Sequence, residues 1–155
     1  MGNIVDFFTS TTQQTFDLAK KLASIIESPM CIALDGPLGA GKTQFAKGFA
    51  SGCGITDEVT SPTFSLMNEY DGAVELLHID FYRLAEEDLQ ELGMEEQIED
   101  WQGVVLIEWA SLHPSILPID FIQVTIKILS ESRRSFALKT IGDASFSSEE
   151  LDEYK

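Results

Sequence analysis

Eight consecutive residues, Gly36-Pro37-Leu38-Gly39-Ala40-Gly41-Lys42-Thr43, carry the strongest chemical signal in the chain. They satisfy G-x-x-x-x-G-K-[ST] at every fixed position. Glycines let the backbone curl with no side chain in the way. The loop N–H groups then point inward at phosphate oxygens, helped by the N-terminus of the helix that follows. Lys42 is expected to reach the β- and γ-phosphates, and the Thr43 hydroxyl to take one position on Mg²⁺. The residues expected to meet the nucleotide here are Gly36, Leu38, Gly39, Ala40, Gly41, Lys42, Thr43 and Gln44.

A phosphate loop needs an acid near the metal and a group that positions the nucleophile. Two acids stand at the ends of apolar runs. Glu108 follows Val104-Val105-Leu106-Ile107, and Asp80 follows Leu76-Leu77-His78-Ile79. Ligands of open α/β sheets bind at the carboxyl ends of strands, so both acids are candidates for catalysis and for Mg²⁺. Glu108 is the favoured metal ligand, directly or through water, with Asp80 as a second metal-shell group or water positioner. His78 shares a strand face with Asp80. A hydrogen-bonded structural role suits it better than that of a catalytic base. Arg83 is either an internal arginine finger or a partner of nearby acids. Ser61-Pro62-Thr63-Phe64 reads as an ordinary proline turn or as a nucleotide-sensing switch. Trp109 follows Glu108 and reads as core. Thr11 and Arg133 are candidates to flank an adenine.

The elements that must position these groups follow from periodicity. Residues 12–26 carry Phe16, Leu18, Ala19, Leu22, Ala23, Ile25 and Ile26 on a helical period, with Ser10, Thr11 or Thr12 as cap. Met30 to Asp35 reads as a buried strand leading into the loop. Phe45 and Phe49 mark one face of the helix after it, which Gly52 and Gly54 end. Thr63–Tyr70 and Val74–Phe81 read as a hairpin across Asp71-Gly72. Glu86 to Asp100 is an acidic helical stretch broken near Gly93. Val104 to Ile107 reads as a strand covered on both faces. Two further strands are expected near 119–129 and 133–141. Together these give one α/β domain over residues 1–155 with a mixed sheet, and an acidic tail from about 147 that reads as a short helix or a frayed, solvated end.

Composition narrows the function classes. The 155 residues hold 26 acids against 10 bases, a net charge of −16. Such a chain repels bare nucleic acid, whose binding needs clustered cations. Two cysteines form no disulfide framework: Cys31 reads as core, and Cys53 lies in a loop. There is no membrane-length apolar run and no signal-peptide pattern, so a cytoplasmic protein with no membrane partner is expected. From Leu84 to Ile126 there is no Lys or Arg, and Glu86 to Asp100 holds eight acids. That face is solvated or docks on a basic partner.

Taken in order, the phosphate loop, Ser61-Pro62-Thr63-Phe64, His78-x-Asp80-x-Tyr82-Arg83 and Leu106-Ile107-Glu108-Trp109 resemble one family, TsaE. The resemblance spans about residues 10–140. It implies an α/β P-loop NTPase fold with a mixed, largely parallel central sheet flanked by helices. It implies an ATPase with ATP and Mg²⁺ as cofactors. It implies TsaD and TsaB as partners, with tRNA met only indirectly through their complex. In that family TsaD transfers a threonylcarbamoyl group to the adenosine beside the tRNA anticodon, and the ATPase lets the complex turn over. The resemblance implies phosphate and metal binding by Lys42 and Thr43, a Walker-B role for Glu108, and support of metal or water by Asp80. It implies a switch at Ser61–Phe64 and base contacts near Thr11 and Arg133. A small-molecule kinase using the same loop, or a nucleotide-gated binding module with negligible catalysis, are the competing readings.

Overall fold

The computed structural model describes residues 3–60 and 67–155. The Ser61–Phe64 segment lies outside the described residues. Seven strands form one sheet: β1 (Ile4–Thr9), β2 (Met30–Asp35), β3 (Met67–Tyr70), β4 (Leu76–Asp80), β5 (Val104–Glu108), β6 (Phe121–Ile128) and β7 (Arg134–Ile141). Their order is β1-β7-β6-β2-β5-β4-β3. Pairing is parallel among β6, β2, β5 and β4, and antiparallel at β1–β7, β7–β6 and β4–β3. The sheet is mixed, as expected, with its parallel part at the centre.

Four helices cover it: α1 (Thr12–Ile25), α2 (Lys42–Gly52), α3 (Glu86–Glu91) and α4 (Met94–Asp100). β5 is buried along its whole length because both of its faces are covered. On one face Val104 and Leu106 join Leu18, Leu22, Phe45 and Phe49 of α1 and α2. On the other, Val105 and Ile107 join Leu89, Met94 and Ile98 of α3 and α4. The acidic stretch thus forms helices because Leu89, Met94 and Ile98 give it an apolar stripe. Gly93, at φ +61, separates the two.

α1 begins where Thr11 Oγ1 accepts from the Gln14 N–H at 3.0 Å, the N-cap arrangement that residue type favours. α1 and α2 pack closely because α2 carries glycine at the contact. A Cβ at Gly48 would run into the Phe16 carbonyl, and one at Gly52 into the Lys20 carbonyl.

Four expectations change. β1 was not foreseen; it adds to the sheet edge through antiparallel pairing with β7, Phe7 opposite Phe136. The β3–β4 connection runs from 71 to 75, so Val74 lies in the loop, its N–H donating to the Cys53 carbonyl at 3.0 Å. The tail is not simply solvated. Ser148–Tyr154 forms a 3-10 segment, and Leu151 is fully buried against the α1 and α2 core. Cys53 is likewise core rather than an open loop residue, buried at the end of α2.

Candidate functional site

Parallel strands deliver their carboxyl ends to one edge of the sheet, and three of them deliver chemistry there. Leu34 of β2 is in register with Glu108 of β5, which is in register with Asp80 of β4. β2 then runs through Asp35 into the phosphate loop, and α2 opens at Lys42. The two carboxylates lie on the sheet face that α1 and α2 cover. His78 and Asp80 share that face through the strand's two-residue period.

The loop has the conformation its glycines permit. Gly39 and Gly41 hold φ of +80° and +106°, in the left-handed region. A Cβ at Gly39 would meet no described atom within 4 Å, so backbone conformation, not space, calls for glycine there. The Lys42 ammonium donates to the carbonyls of Gly36 at 2.6 Å and Pro37 at 2.9 Å. It also lies over the Trp109 ring, 4.2 Å from its centroid. Burial lowers the Lys42 ammonium below its ordinary pKa, and the carboxylates of Glu108, Asp80 and Asp35 oppose that shift.

Trp109 is therefore not plain core. It is the one non-glycine at positive φ among the described residues, +57°. That costly conformation turns its ring back beneath Lys42 and against Tyr82, 5.0 Å between ring centroids. A residue type and its place after Glu108 could not announce this; a backbone twist decides it.

Glu108 is buried, and its Oε2 accepts from His78 Nε2 at 2.6 Å. His78 is fully buried, and Nδ1 finds no partner among the described residues. The tautomer with its proton on Nε2 suits this arrangement, and the histidine orients the glutamate. Asp80 is more open. Its Oδ1 accepts from the Tyr82 N–H at 2.9 Å. Burial raises the Asp80 carboxyl above its ordinary value, and nearby Glu108 raises it further. The Tyr82 N–H, His78 and Lys42 oppose the rise. Asp35 is held aside, its Oδ1 accepting from both the N–H (3.1 Å) and the hydroxyl (2.9 Å) of Ser111.

Beside the loop lies a cavity of about 420 Å³ lined by Thr11, Thr12, Thr15, Gly39, Ala40, Gly41, Gln44, Glu131, Ser132 and Arg134. The structure thus brings Thr11, Gly39, Ala40, Gly41 and Gln44 together around one space. Gly36 sits behind the loop, where a Cβ would come within 3.1 Å of the Ile126 Cβ. Leu38 is out at the surface, 73% exposed. Arg133 does not line the cavity; its neighbour Arg134 does. Arg133 belongs to the turn before β7 and Arg134 opens the strand, and nothing in an Arg-Arg pair says which faces in. Thr15 is a further wall residue that sequence reasoning missed. Its hydroxyl pairs with that of Thr9 at 2.8 Å inside the fold.

These residues fit a nucleotide and a hard divalent cation. Thr43, Asp80 and Glu108 offer only oxygen. No group of three or more His, Cys, Asp or Glu forms a metal cage among the described residues. Mg²⁺ held by one or two carboxylates plus substrate phosphates needs no such cage.

Comparison with known proteins identifies the family. Residues 9–136 match the family model for the threonylcarbamoyl adenosine biosynthesis protein TsaE. A tRNA threonylcarbamoyladenosine biosynthesis protein TsaE of Bacillus subtilis (strain 168) is 40% identical over 136 residues, 87% of this chain and 85% of that one. The protein of the same name from Treponema pallidum (strain Nichols) is 36% identical over 129 residues, 83% and 95% of the two chains. The crystal structure of Bacillus subtilus YdiB superposes with a TM-score of 0.78 at 35% identity, covering 92% of this chain and 89% of that one.

Proposed function

Because the chain belongs to the TsaE family, we propose that it is a Mg²⁺-dependent ATPase serving tRNA threonylcarbamoyladenosine biosynthesis. In this reading it works on a complex of TsaB and TsaD, and meets tRNA only through that complex. The membership places the chain in tRNA threonylcarbamoyladenosine biosynthesis. One observation carries the finer reading. Lys42 heads α2 beside Asp80 and Glu108, two carboxylates in register on neighbouring strands.

In that arrangement the loop amides and the start of α2 bind phosphate oxygens. Lys42 leaves or shares its loop carbonyls to reach the terminal phosphates. Thr43 and Glu108 would hold the metal, and Asp80 would hold metal or water. His78 keeps Glu108 oriented toward the loop. When bound, Mg²⁺ neutralises charge on the β- and γ-phosphate oxygens. Thr11 and Gln44 face the cavity beside the loop, which takes the base. The absence of Lys and Arg from residues 84–126 leaves no basic lid there to close over a small acceptor, which disfavours a kinase.

The test is Mg²⁺-ATP hydrolysis by the pure protein, alone and with TsaB and TsaD. Slow turnover that rises with the partners is expected. Lys42→Ala is expected to lose nucleotide binding and turnover while folding normally, since its ammonium contacts two loop carbonyls and the Trp109 ring at the edge of the sheet, not the apolar core. A folded Lys42→Ala protein with unchanged turnover would overturn the loop assignment. Turnover indifferent to the partners would overturn the role.

A further inference from the structure

A phosphate loop turns N–H groups inward, so its carbonyls face outward and need donors of their own. At Gly39 and Ala40 one side chain supplies them. Arg134 Nε donates to the Ala40 carbonyl at 3.1 Å, across 94 residues of sequence. Its Nη2 donates to the Gly39 carbonyl at 3.4 Å. Its Nη1 donates to the carbonyls of Ser130 at 2.8 Å, Arg133 at 3.0 Å and Glu131 at 3.3 Å.

Residues 129–133 form the turn between β6 and β7, and Glu131 and Ser132 wall the same cavity as Gly39, Ala40 and Gly41. The guanidinium therefore ties the phosphate loop to the far rim of the nucleotide cavity. A planar fork with five N–H groups holds two segments in a fixed geometry; an ammonium has three donors but sits on a flexible stem and fixes their arrangement less well. The Ala40 carbonyl and the Gly41 N–H belong to one peptide group. A cation on the carbonyl side strengthens the amide as a donor.

We propose that Arg134 is a positioning residue for the nucleotide: it holds Gly39–Ala40 and the 130–133 turn in one arrangement and acts on the phosphates through the loop, not by touching the base. This rests on the ATPase reading above. Its Nε and Nη1 are committed to main-chain carbonyls, which is why the role falls to the loop and not to a ligand contact. Arg133, expected to flank the base, has no such tie through its side chain among the described hydrogen bonds.

The experiment compares Mg²⁺-ATP with Mg²⁺-tripolyphosphate, which has phosphates and no base. Affinities are measured by titration calorimetry for the wild type, Arg134→Gln and Arg134→Lys, with kcat, KM and thermal midpoints alongside. Both ligands should weaken in parallel, roughly tenfold to a hundredfold, the range for losing a charged hydrogen-bond donor. KM for ATP should rise while kcat stays within about twofold, because Lys42, Asp80 and Glu108 are untouched. Arg134→Lys keeps the charge and should hold the thermal midpoint near that of the wild type without restoring affinity. Loss of ATP affinity with tripolyphosphate unchanged would mean a direct base contact and overturn the inference. So would a lowered thermal midpoint with both affinities intact. A wild-type protein that binds neither ligand would overturn the ATPase reading itself, and this inference with it.

Discussion

Deleting the imidazole that holds Glu108 tests the site's construction most directly. His78 Nε2 and Glu108 Oε2 are 2.6 Å apart, with side chains 1% and 4% exposed. His78→Leu keeps an apolar side chain of similar bulk in the core. Nδ1 has no partner among the described residues, so the substitution removes one hydrogen bond and strands one carboxylate. Leaving a buried charge without its partner costs on the order of 3 kcal/mol or more. For a domain of this size, that lowers the thermal midpoint by roughly 6–12 °C. Glu108→Gln alone should cost less, since its amide oxygen still accepts from Nε2 and no charge is stranded. In the double variant no charge is stranded, and only a neutral amide is left without that partner, at a smaller cost. The sum of the single losses should therefore exceed the double loss by about 2 kcal/mol. Urea unfolding at pH 7, followed by circular dichroism, measures all three variants. Losses that add to within about 0.5 kcal/mol would refute the coupling. In the same His78→Leu protein, kcat should fall more than KM rises, because Glu108 loses its orientation while the loop keeps its shape.

Two other outcomes follow from burial. The Asp80 carboxyl is raised in the folded state, chiefly by burial, above the ordinary 3.8. Its protonation favours the fold below 3.8, and that benefit is lost as pH rises through the raised folded value. Asp80→Asn carries no such loss. It should be more stable than the wild type at pH 7, with the advantage shrinking as pH falls toward 3.8, while Mg²⁺-dependent turnover drops. Urea midpoints across pH 3.5–7 check this, and an Asn variant less stable at pH 7 refutes it. Leu151→Ala should cost about 2–5 kcal/mol, the range for a fully buried leucine. A loss under about 1 kcal/mol would mean that the last segment does not dock on α1.

The parts of the fold that sequence made legible are those with local signals. The central strands β2 and β5 read as apolar runs, and the loop between β2 and α2 reads from its glycines and Lys42. The parts that were missed depend on distant partners. β1 turns Val5, Phe7 and Thr9 inward, but Ile4 and Phe8 stay exposed, so its alternation is obscured by apolar residues on the open face. It becomes a strand because β7, more than a hundred residues on, offers an edge. The tail has a single strong anchor, Leu151, in an acidic run that reads as solvated. In the site, residue types pointed to Asp80 and Glu108, and their register on β4 and β5 puts them side by side. What sequence could not supply was orientation. The twist at Trp109 and the inward turn of Arg134 are decided by backbone angles and strand pairing.

The same register explains why this site should favour nucleotide and metal together over nucleotide alone. The carboxylates of Glu108, Asp80 and Asp35 all act on the Lys42 ammonium, three negative charges to one positive. A bare triphosphate entering that edge meets like charge, which the loop amides and the Arg134 clasp offset only in part. A divalent cation between the carboxylates and the phosphates removes the repulsion from both sides at once. In the proposed reading, the acids that would weaken free-nucleotide binding are the ones that would make the metal complex the preferred ligand. The burial of Glu108 adds to the effect, because charge is screened less there than at the surface. The raised Asp80 carboxyl gives the effect a direction in pH. As acid protonates Asp80, repulsion toward free nucleotide eases while the metal loses a ligand, so the preference for the metal complex should narrow on the acid side.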